Sequence, residues 1–267
     1  MLSVFIPLYP KFPLLNVQGT YVAIRLEDFL IAFVVFWWVI AKLPKLKSLL
    51  SENITKAILL FWGIGALSLF SGIFLTSTVT PHLGIFHYLR RVETMILFLV
   101  AMTAFESRKQ VKIWLLTMFA VTVAIVLYGF GQQYLNFPVI STTNREFSKG
   151  LILFLSPEAR VNSTFAGHYD LAVYLAFFLT VLVGFFFTRI TSIQRFMLAV
   201  TGVLSFILLA LTAARVSFVS AIFGIASVFF MTGRKKFIFA LAGITLLAFV
   251  ISRDLRLRSV ASLTVII

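Results

Sequence analysis

The chain has 267 residues, of which 61% are hydrophobic and 12% charged, and its mean hydropathy is +1.05. Soluble domains are about half apolar and about a quarter charged, so this composition excludes a water-soluble core, a disordered chain and a cytosolic enzyme and leaves an integral membrane protein. The formal net charge is +14, with no cysteine. Disulfides, thiolate nucleophiles and Cys-ligated metals are therefore excluded. Nucleic-acid binding has no basic soluble domain to carry it. In a membrane protein such a charge sets topology or meets an anionic partner.

Residues 1–17 open the chain with an apolar run interrupted by Pro7, Pro10 and Pro13, with Lys11 between the last two. They lack the basic start and small-residue cleavage site of a signal peptide and predict a partial or interfacial first helix. Apolar runs long enough to cross lipid as helices follow at 23–41, 55–75, 84–105, 112–131, 169–188, 196–213, 214–231 and 236–252. The expected fold is all-α: a polytopic integral membrane helix bundle of about 8–9 transmembrane helices with one long extracytoplasmic loop. Three regions are expected: an amino-terminal transmembrane bundle over 1–131, the extracytoplasmic loop over 132–168, and a transmembrane core over 169–267.

Basic residues set the orientation. Lys42, Lys45, Lys47 and Lys56 form one group, Arg108, Lys109 and Lys112 a second, Arg189 and Arg195 a third, and Arg234, Lys235 and Lys236 a fourth. They alternate as one side of the membrane, which is read as cytoplasmic. Because both flanks of 196–231 are basic, that run must turn on the outer side near Thr212-Ala213-Ala214-Arg215. The basic residues left for the outer side are mostly arginine: Arg25, Arg90, Arg91, Arg145, Arg160, Arg215, Arg253, Arg256 and Arg258, with Lys11 and Lys149. Arginine presents a planar fork that matches phosphate oxygens in pairs, so an arginine-rich outer face points to a phosphate-bearing ligand.

The loop over 132–168 contains Ser156-Pro157-Glu158, a cap followed by proline and an early acid, which predicts a short helix at the membrane surface. It ends in Arg160-Val161-Asn162-Ser163-Thr164-Phe165-Ala166-Gly167-His168-Tyr169-Asp170-Leu171-Ala172 and runs into the 169–188 span. Arg215 stands in an otherwise apolar stretch, and an ionisable group so placed is a functional candidate by default. Arg90 and Glu93 are spaced to pair with each other, which leaves Arg91 free to face phosphate. Asp28 and Glu27 are expected to pair with Arg25. His82 and His87 read as interfacial. Ser217 with Ala221, and Ser220 with Gly224, are spaced for close helix packing.

The Arg-x-x-Ser-Thr-Phe segment, with its Gly and His ahead of Leu171-Ala172-x-Tyr174-Leu175, resembles the O-antigen ligase and O-antigen polymerase superfamily. Leu209-Ala210-Leu211-Thr212-Ala213-Ala214-Arg215 resembles that family's segment at a helix hairpin, and Arg25-Leu26-Glu27-Asp28-Phe29-Leu30 and His87-Tyr88-Leu89-Arg90-Arg91-Val92-Glu93 resemble its amino-terminal half. Tyr169-Asp170 stands where many members read Pro-Asn, and Ala214-Arg215 where they often read Ser-Arg. Members usually continue into a second outer loop bearing a catalytic His; with Ile267 as the last residue, the expectation is a carboxy-terminally truncated product.

The resemblance implies glycan transfer at the outer face of the bacterial cytoplasmic (inner) membrane, in lipopolysaccharide or related cell-envelope polysaccharide biosynthesis. The donor would be a glycan on undecaprenyl diphosphate and the acceptor a lipid-linked or glycan hydroxyl. No metal or other cofactor is implied. Arg160, Arg215 and Arg91 would bind the diphosphate, neutralising the charge that grows on the leaving group. His168 would serve as general base, with Asp170 to orient it. The competing expectations are a transporter or flippase of a lipid-linked oligosaccharide, and an inactive fragment. The absence of charge inside 55–75, 112–131, 169–188 and 236–252 counts against a transporter.

Overall fold

The computed structural model describes residues 1–9, 13–16, 23–105, 107–139, 153–155, 160–188 and 190–251. Contacts divide the chain into two compact units, one of Met1–Ile6 with Phe12–Thr117, the other of Pro7–Lys11 with Met118–Ile267.

Helix α1 (Leu2–Leu8), which starts in the first unit and ends in the second, carries Pro7 inside it. Two short antiparallel strands follow, β1 (Pro13–Asn16) and β2 (Ala23–Arg25). Helix α2 (Leu26–Lys42) has acids in its first turn and a lysine in its last, each on the favourable end of the helix dipole. A 3-10 turn (Leu43–Lys45) and α3 (Leu46–Ser51) lead to α4 (Asn53–Phe70), whose last turn widens into a π-helix over Ser71–Leu75. The chain then folds back on itself at two glycines. A Cβ at Gly72 would come within 2.8 Å of Val79, and one at Gly84 within 2.6 Å of both Leu69 and Val79. Helix α5 (Pro81–Ala104) opens on proline, which suits a position with no intrahelical N–H partner. Trp38 Nε1 donates to Thr103 Oγ1 at 2.7 Å, fastening α2 to α5.

Helix α6 (Arg108–Tyr134) carries the chain into the second unit. Strands β3 (Pro138–Val139) and β4 (Leu153–Phe154) pair antiparallel. Helices α7 (His168–Phe186), α8 (Ser192–Leu211), α9 (Arg215–Met231) and α10 (Lys236–Ile251) complete the fold. Thr191 caps α8 in a capping box with Gln194. Gly233, at φ +71°, ends α9 by donating to the Phe230 carbonyl, and Arg234 N–H returns to the Phe229 carbonyl. The 196–231 run does break in two: Thr212 Oγ1 donates to the Leu209 carbonyl at 2.6 Å, and Ala213 adopts a left-handed φ of +52°. The core joins Ile125, Leu171, Leu175, Leu208, Leu209 and Ala221, all fully buried.

Helices α7 and α9 run parallel in tight register. A Cβ at Gly224 would lie 2.5 Å from Thr180 Oγ1, and one at Gly184 would lie 3.9 Å from Val228. Both pairs have the same sequence offset. Ser217 and Ala221 are buried, as their spacing for packing suggests, whereas Ser220 is exposed.

The fold is largely helical, but the expectation of about 8–9 transmembrane helices is corrected. Helices lie at all the marked stretches, yet among the described residues only four are long and apolar enough to cross a membrane: Asn53–Leu75, Arg108–Tyr134, His168–Phe186 and Ser192–Leu211. Arg215–Met231 is apolar but shorter, at 17 residues. The reasons are physical. α2 has 17 residues, which at about 1.5 Å per residue falls short of a hydrocarbon core of about 30 Å, and the described part of α10 has 16. α5 has 24 residues, but Arg90, Arg91 and Glu93 fall inside any 18-residue window of it. The four long helices leave most of their apolar side chains uncovered; in the most apolar stretch of α4 only 11% is buried. Leu60, Leu67 and Phe74 stand exposed along it, a surface that needs lipid rather than water. Several long apolar helices of this kind are consistent with a multi-pass membrane protein.

Candidate functional site

The sequence candidates fall in both units. In the second, the segment leading into α7 is held by an amide clamp. Gln132, on α6, is 1% exposed. Its Oε1 accepts the Ser163 N–H at 2.8 Å, and its Nε2 donates to the Ser163 carbonyl at 3.1 Å. The same Nε2 donates to the Pro138 carbonyl at 3.1 Å, which also receives Tyr128 Oη–H at 2.9 Å. Ser163 itself is fully buried with a left-handed φ of +50°, and its Oγ donates to the Ile125 carbonyl at 2.7 Å. A buried left-handed serine is tolerable because these bonds offset both the backbone strain and the desolvation. Asn162 Nδ2 donates to the Phe165 carbonyl at 2.8 Å, and Thr164 Oγ1 to the Pro7 carbonyl at 2.6 Å. The loop is thus fixed from several sides, and Arg160 stands at its start.

Arg160 Nη1 lies 2.8 Å from His168 Nε2. A guanidinium only donates, so Nε2 accepts and the ring proton sits on Nδ1. The nitrogen that would abstract a proton is occupied, and His168 acts as a base through Nε2 only if Arg160 moves away. Asp170 is exposed in the first turn of α7.

Arg215 is the first residue of α9 and is exposed. It makes no ion pair or side-chain hydrogen bond with the described residues. The Thr180–Gly224 and Gly184–Val228 register, carried back along both helices, sets Arg215 level with Leu171, in the first turn of α7 beyond His168 and Asp170. The structure thus brings Arg160 and His168 into contact and sets Arg215 at the same end of this unit. A cation at a helix N-terminus faces the positive end of the dipole, so helix stability does not account for Arg215 there. An anion would.

In the first unit, Arg90 grips Asp28 with both arms, Nη1 to Oδ1 at 2.5 Å and Nη2 to Oδ2 at 3.0 Å. Its contact with Glu93 is longer, at 3.4 Å. Asp28 also accepts the Arg25 backbone N–H at 2.9 Å, and Arg25 Nη1 pairs with Glu27 at 2.9 Å. Burial would lower the Arg90 pKa, but the bonds and charge of Asp28 more than offset it and the net shift is upward. Glu93 is held above the ordinary carboxylate range, chiefly by burial, with the Asp28 charge adding to it and Arg90 opposing. Its Oε1 is buried with no hydrogen-bond partner among the described residues. These groups edge a largely apolar cleft of about 350 Å³ between α2 and α5. Arg91 points elsewhere: it is exposed, 6.0 Å over the Phe61 ring, with no ion pair among the described residues. His82 and His87 are exposed.

Arg145, Lys149, Arg189, Arg253, Arg256, Arg258 and the surface helix expected at Ser156-Pro157-Glu158 lie outside the described residues. Among the described residues, no three or more His, Asp or Glu gather as a metal site. Gln132, Asn162 and Ser163 escaped the sequence analysis as positioning residues. The available signal was the pair Gln132-Gln133 ending an apolar helix, since a buried amide requires partners. No protein-family model, curated protein or solved structure matches the chain.

Proposed function

We propose that the chain is an O-antigen ligase/polymerase-like, metal-independent glycosyltransferase of the bacterial cytoplasmic (inner) membrane. It transfers a glycan from undecaprenyl diphosphate to a lipid-linked or glycan acceptor at the outer face. The observation that carries the reading is the placement of Arg160: a guanidinium held by His168 on a clamped loop, at the mouth of an apolar helix, with the exposed Arg215 at the same end.

The acceptor hydroxyl attacks the anomeric carbon of the donor sugar. The bond from that carbon to the diphosphate oxygen breaks, and the diphosphate leaves with the electron pair. Arg160 and Arg215 take up that growing charge, and preorganised donors need no reorganisation as it develops. The hydroxyl proton passes to a base. His168 accepts it if the arriving diphosphate draws Arg160 off Nε2, and Asp170 then stabilises the imidazolium.

The test is a transfer assay with the purified chain, a glycan on undecaprenyl diphosphate, a lipid acceptor and a chelator. Glycosylated acceptor and free undecaprenyl diphosphate appearing in equal amounts support the reading. Intact donor in the presence of acceptor, or donor moved across a bilayer without bond cleavage, contradicts it.

A further inference from the structure

The far end of the second unit carries a second group of cations. Arg195 Cζ lies 6.0 Å from the Phe186 ring centroid, and Arg234 Cζ lies 4.2 Å from that of Phe187. Phe186 and Phe187 touch, with centroids 5.4 Å apart, so both guanidiniums rest on one aromatic floor. Phe187 meets Phe229 and Phe237 at 5.9 and 5.5 Å, which gathers the ends of α7, α9 and α10. Lys235 Nζ adds a third cation–ring contact, 5.1 Å over Phe230, and Lys236 begins α10. All four cations are exposed.

Among the described residues, no acidic partner within the unit accounts for this charge. The unit's one acidic residue among those described is Asp170, in the first turn of α7 at the other end. Arg234 and Lys235 follow the C-terminus of α9, where a cation is favourable, but Arg195 and Lys236 stand in the first turns of α8 and α10, where the dipole favours anions. A guanidinium whose face lies on a ring keeps its N–H edge free, and that fork matches two oxygens of a phosphate. The flank is apolar and uncovered: Met231 is 84% exposed and Phe239 82%. A free phosphate has no use for such a flank; acyl chains do.

From this arrangement we infer that Arg195, Arg234, Lys235 and Lys236, on the Phe186–Phe187 floor, form a docking surface for the headgroup phosphates of anionic phospholipid. The arginines grip the phosphodiester oxygens, the lysines add charge, and Met231 and Phe239 lie along the acyl chains. This surface is independent of the glycan-transfer reading and stands whether or not the chain transfers glycan.

The test uses the full chain in detergent micelles, titrated with phosphatidylglycerol, phosphatidylcholine or inorganic phosphate. Thermal unfolding and lipid retained in native mass spectrometry are read out. Phosphatidylglycerol is expected to raise the unfolding temperature and to be retained over phosphatidylcholine, with a preference that falls as salt is added. Arg195→Gln with Arg234→Gln is expected to weaken phosphatidylglycerol binding about 25-fold, from about fivefold per basic residue at an anionic surface. Lys109→Gln with Lys112→Gln, on α6 in the first unit, is expected to leave it unchanged. Equal retention of the two lipids, a salt-independent preference, or unaltered binding by the double glutamine variant overturns the inference. So does an equal response to inorganic phosphate, which would mark a free-anion site. The salt dependence of the unsubstituted protein decides the matter even if the variant does not fold.

Discussion

The guanidinium of Arg160 donates to Nε2 of His168 across 2.8 Å, from a loop whose Ser163 is pinned at both its N–H and its carbonyl by Gln132. The bond fixes the imidazole as the Nδ1–H tautomer and aims the cation at the mouth of α7. Arginine and histidine are therefore one unit, and neither is free to act without the other adjusting.

Replacing His168 separates an acceptor role from a base role. His168→Gln retains an acceptor oxygen for Arg160 but has no usable basicity, whereas His168→Leu has neither. If His168 only positions Arg160, donor binding survives in the glutamine variant and falls about tenfold to a hundredfold in the leucine variant, the range for one charged hydrogen bond. If it is also the base, the glutamine variant keeps donor affinity but loses turnover. Donor affinity and single-turnover rate measured on both variants check this. Full turnover in His168→Leu would remove His168 from the site.

Gln132 is expected to matter to stability more than the hydroxyl of Ser163. Gln132→Leu leaves the buried Ser163 N–H and carbonyl without their amide partner and is expected to cost about 2–4 kcal/mol. Ser163→Gly loses the Oγ bond to Ile125 but relieves a left-handed φ of +50°, so it should come close to neutral. Thermal unfolding of both variants in the same micelle checks the ordering. Equal losses would mean the clamp is incidental.

The raised Glu93 carboxyl gives the first unit a pH dependence of definite sign. Its folded pKa lies above the unfolded value, with burial the main cause. The fold therefore holds this proton more tightly than the unfolded chain does. That contribution is complete below the ordinary carboxylate range and is lost as pH rises through the raised folded value. Glu93→Gln keeps the shape and removes the titration. The unfolding midpoint of the unsubstituted protein should drop more steeply than that of the variant as pH rises above the ordinary carboxylate range. Parallel profiles would show that Glu93 does not titrate differently in the fold.

The positions of the helices were legible in the sequence because apolar runs must satisfy their backbones internally, and the hairpin at Thr212-Ala213-Ala214 was legible from charge on both flanks. The number of membrane-crossing helices was not. Hydropathy ignores where a helix stops, and α2 stops short, while α5 carries three charges mid-helix. Ion pairing was half legible. The i, i+3 spacing shows Glu93 to Arg90, but the better partner is Asp28, 62 residues away, and only tertiary structure brings α2 beside α5. For the same reason Gln132 gave no sign of gripping Ser163, 31 residues further on. Arg160 and His168 stand out in the sequence because a short motif and a helix entry coincide there. Their direct contact came from the loop that leads into α7, and the level shared by Arg215 and the first turn of α7 from the packing of α7 on α9.

The most direct test of the central claim is equilibrium binding of undecaprenyl diphosphate to the purified chain in nanodiscs, compared with undecaprenol. We expect the diphosphate to bind more tightly and the preference to fall with salt. Arg160→Gln and Arg215→Gln should each weaken binding of the diphosphate by about tenfold or more, as loss of a charge-assisted bond does, and leave undecaprenol unchanged. Equal binding of the two lipids, or full diphosphate affinity in both variants, would contradict the assignment of these arginines to a carrier diphosphate.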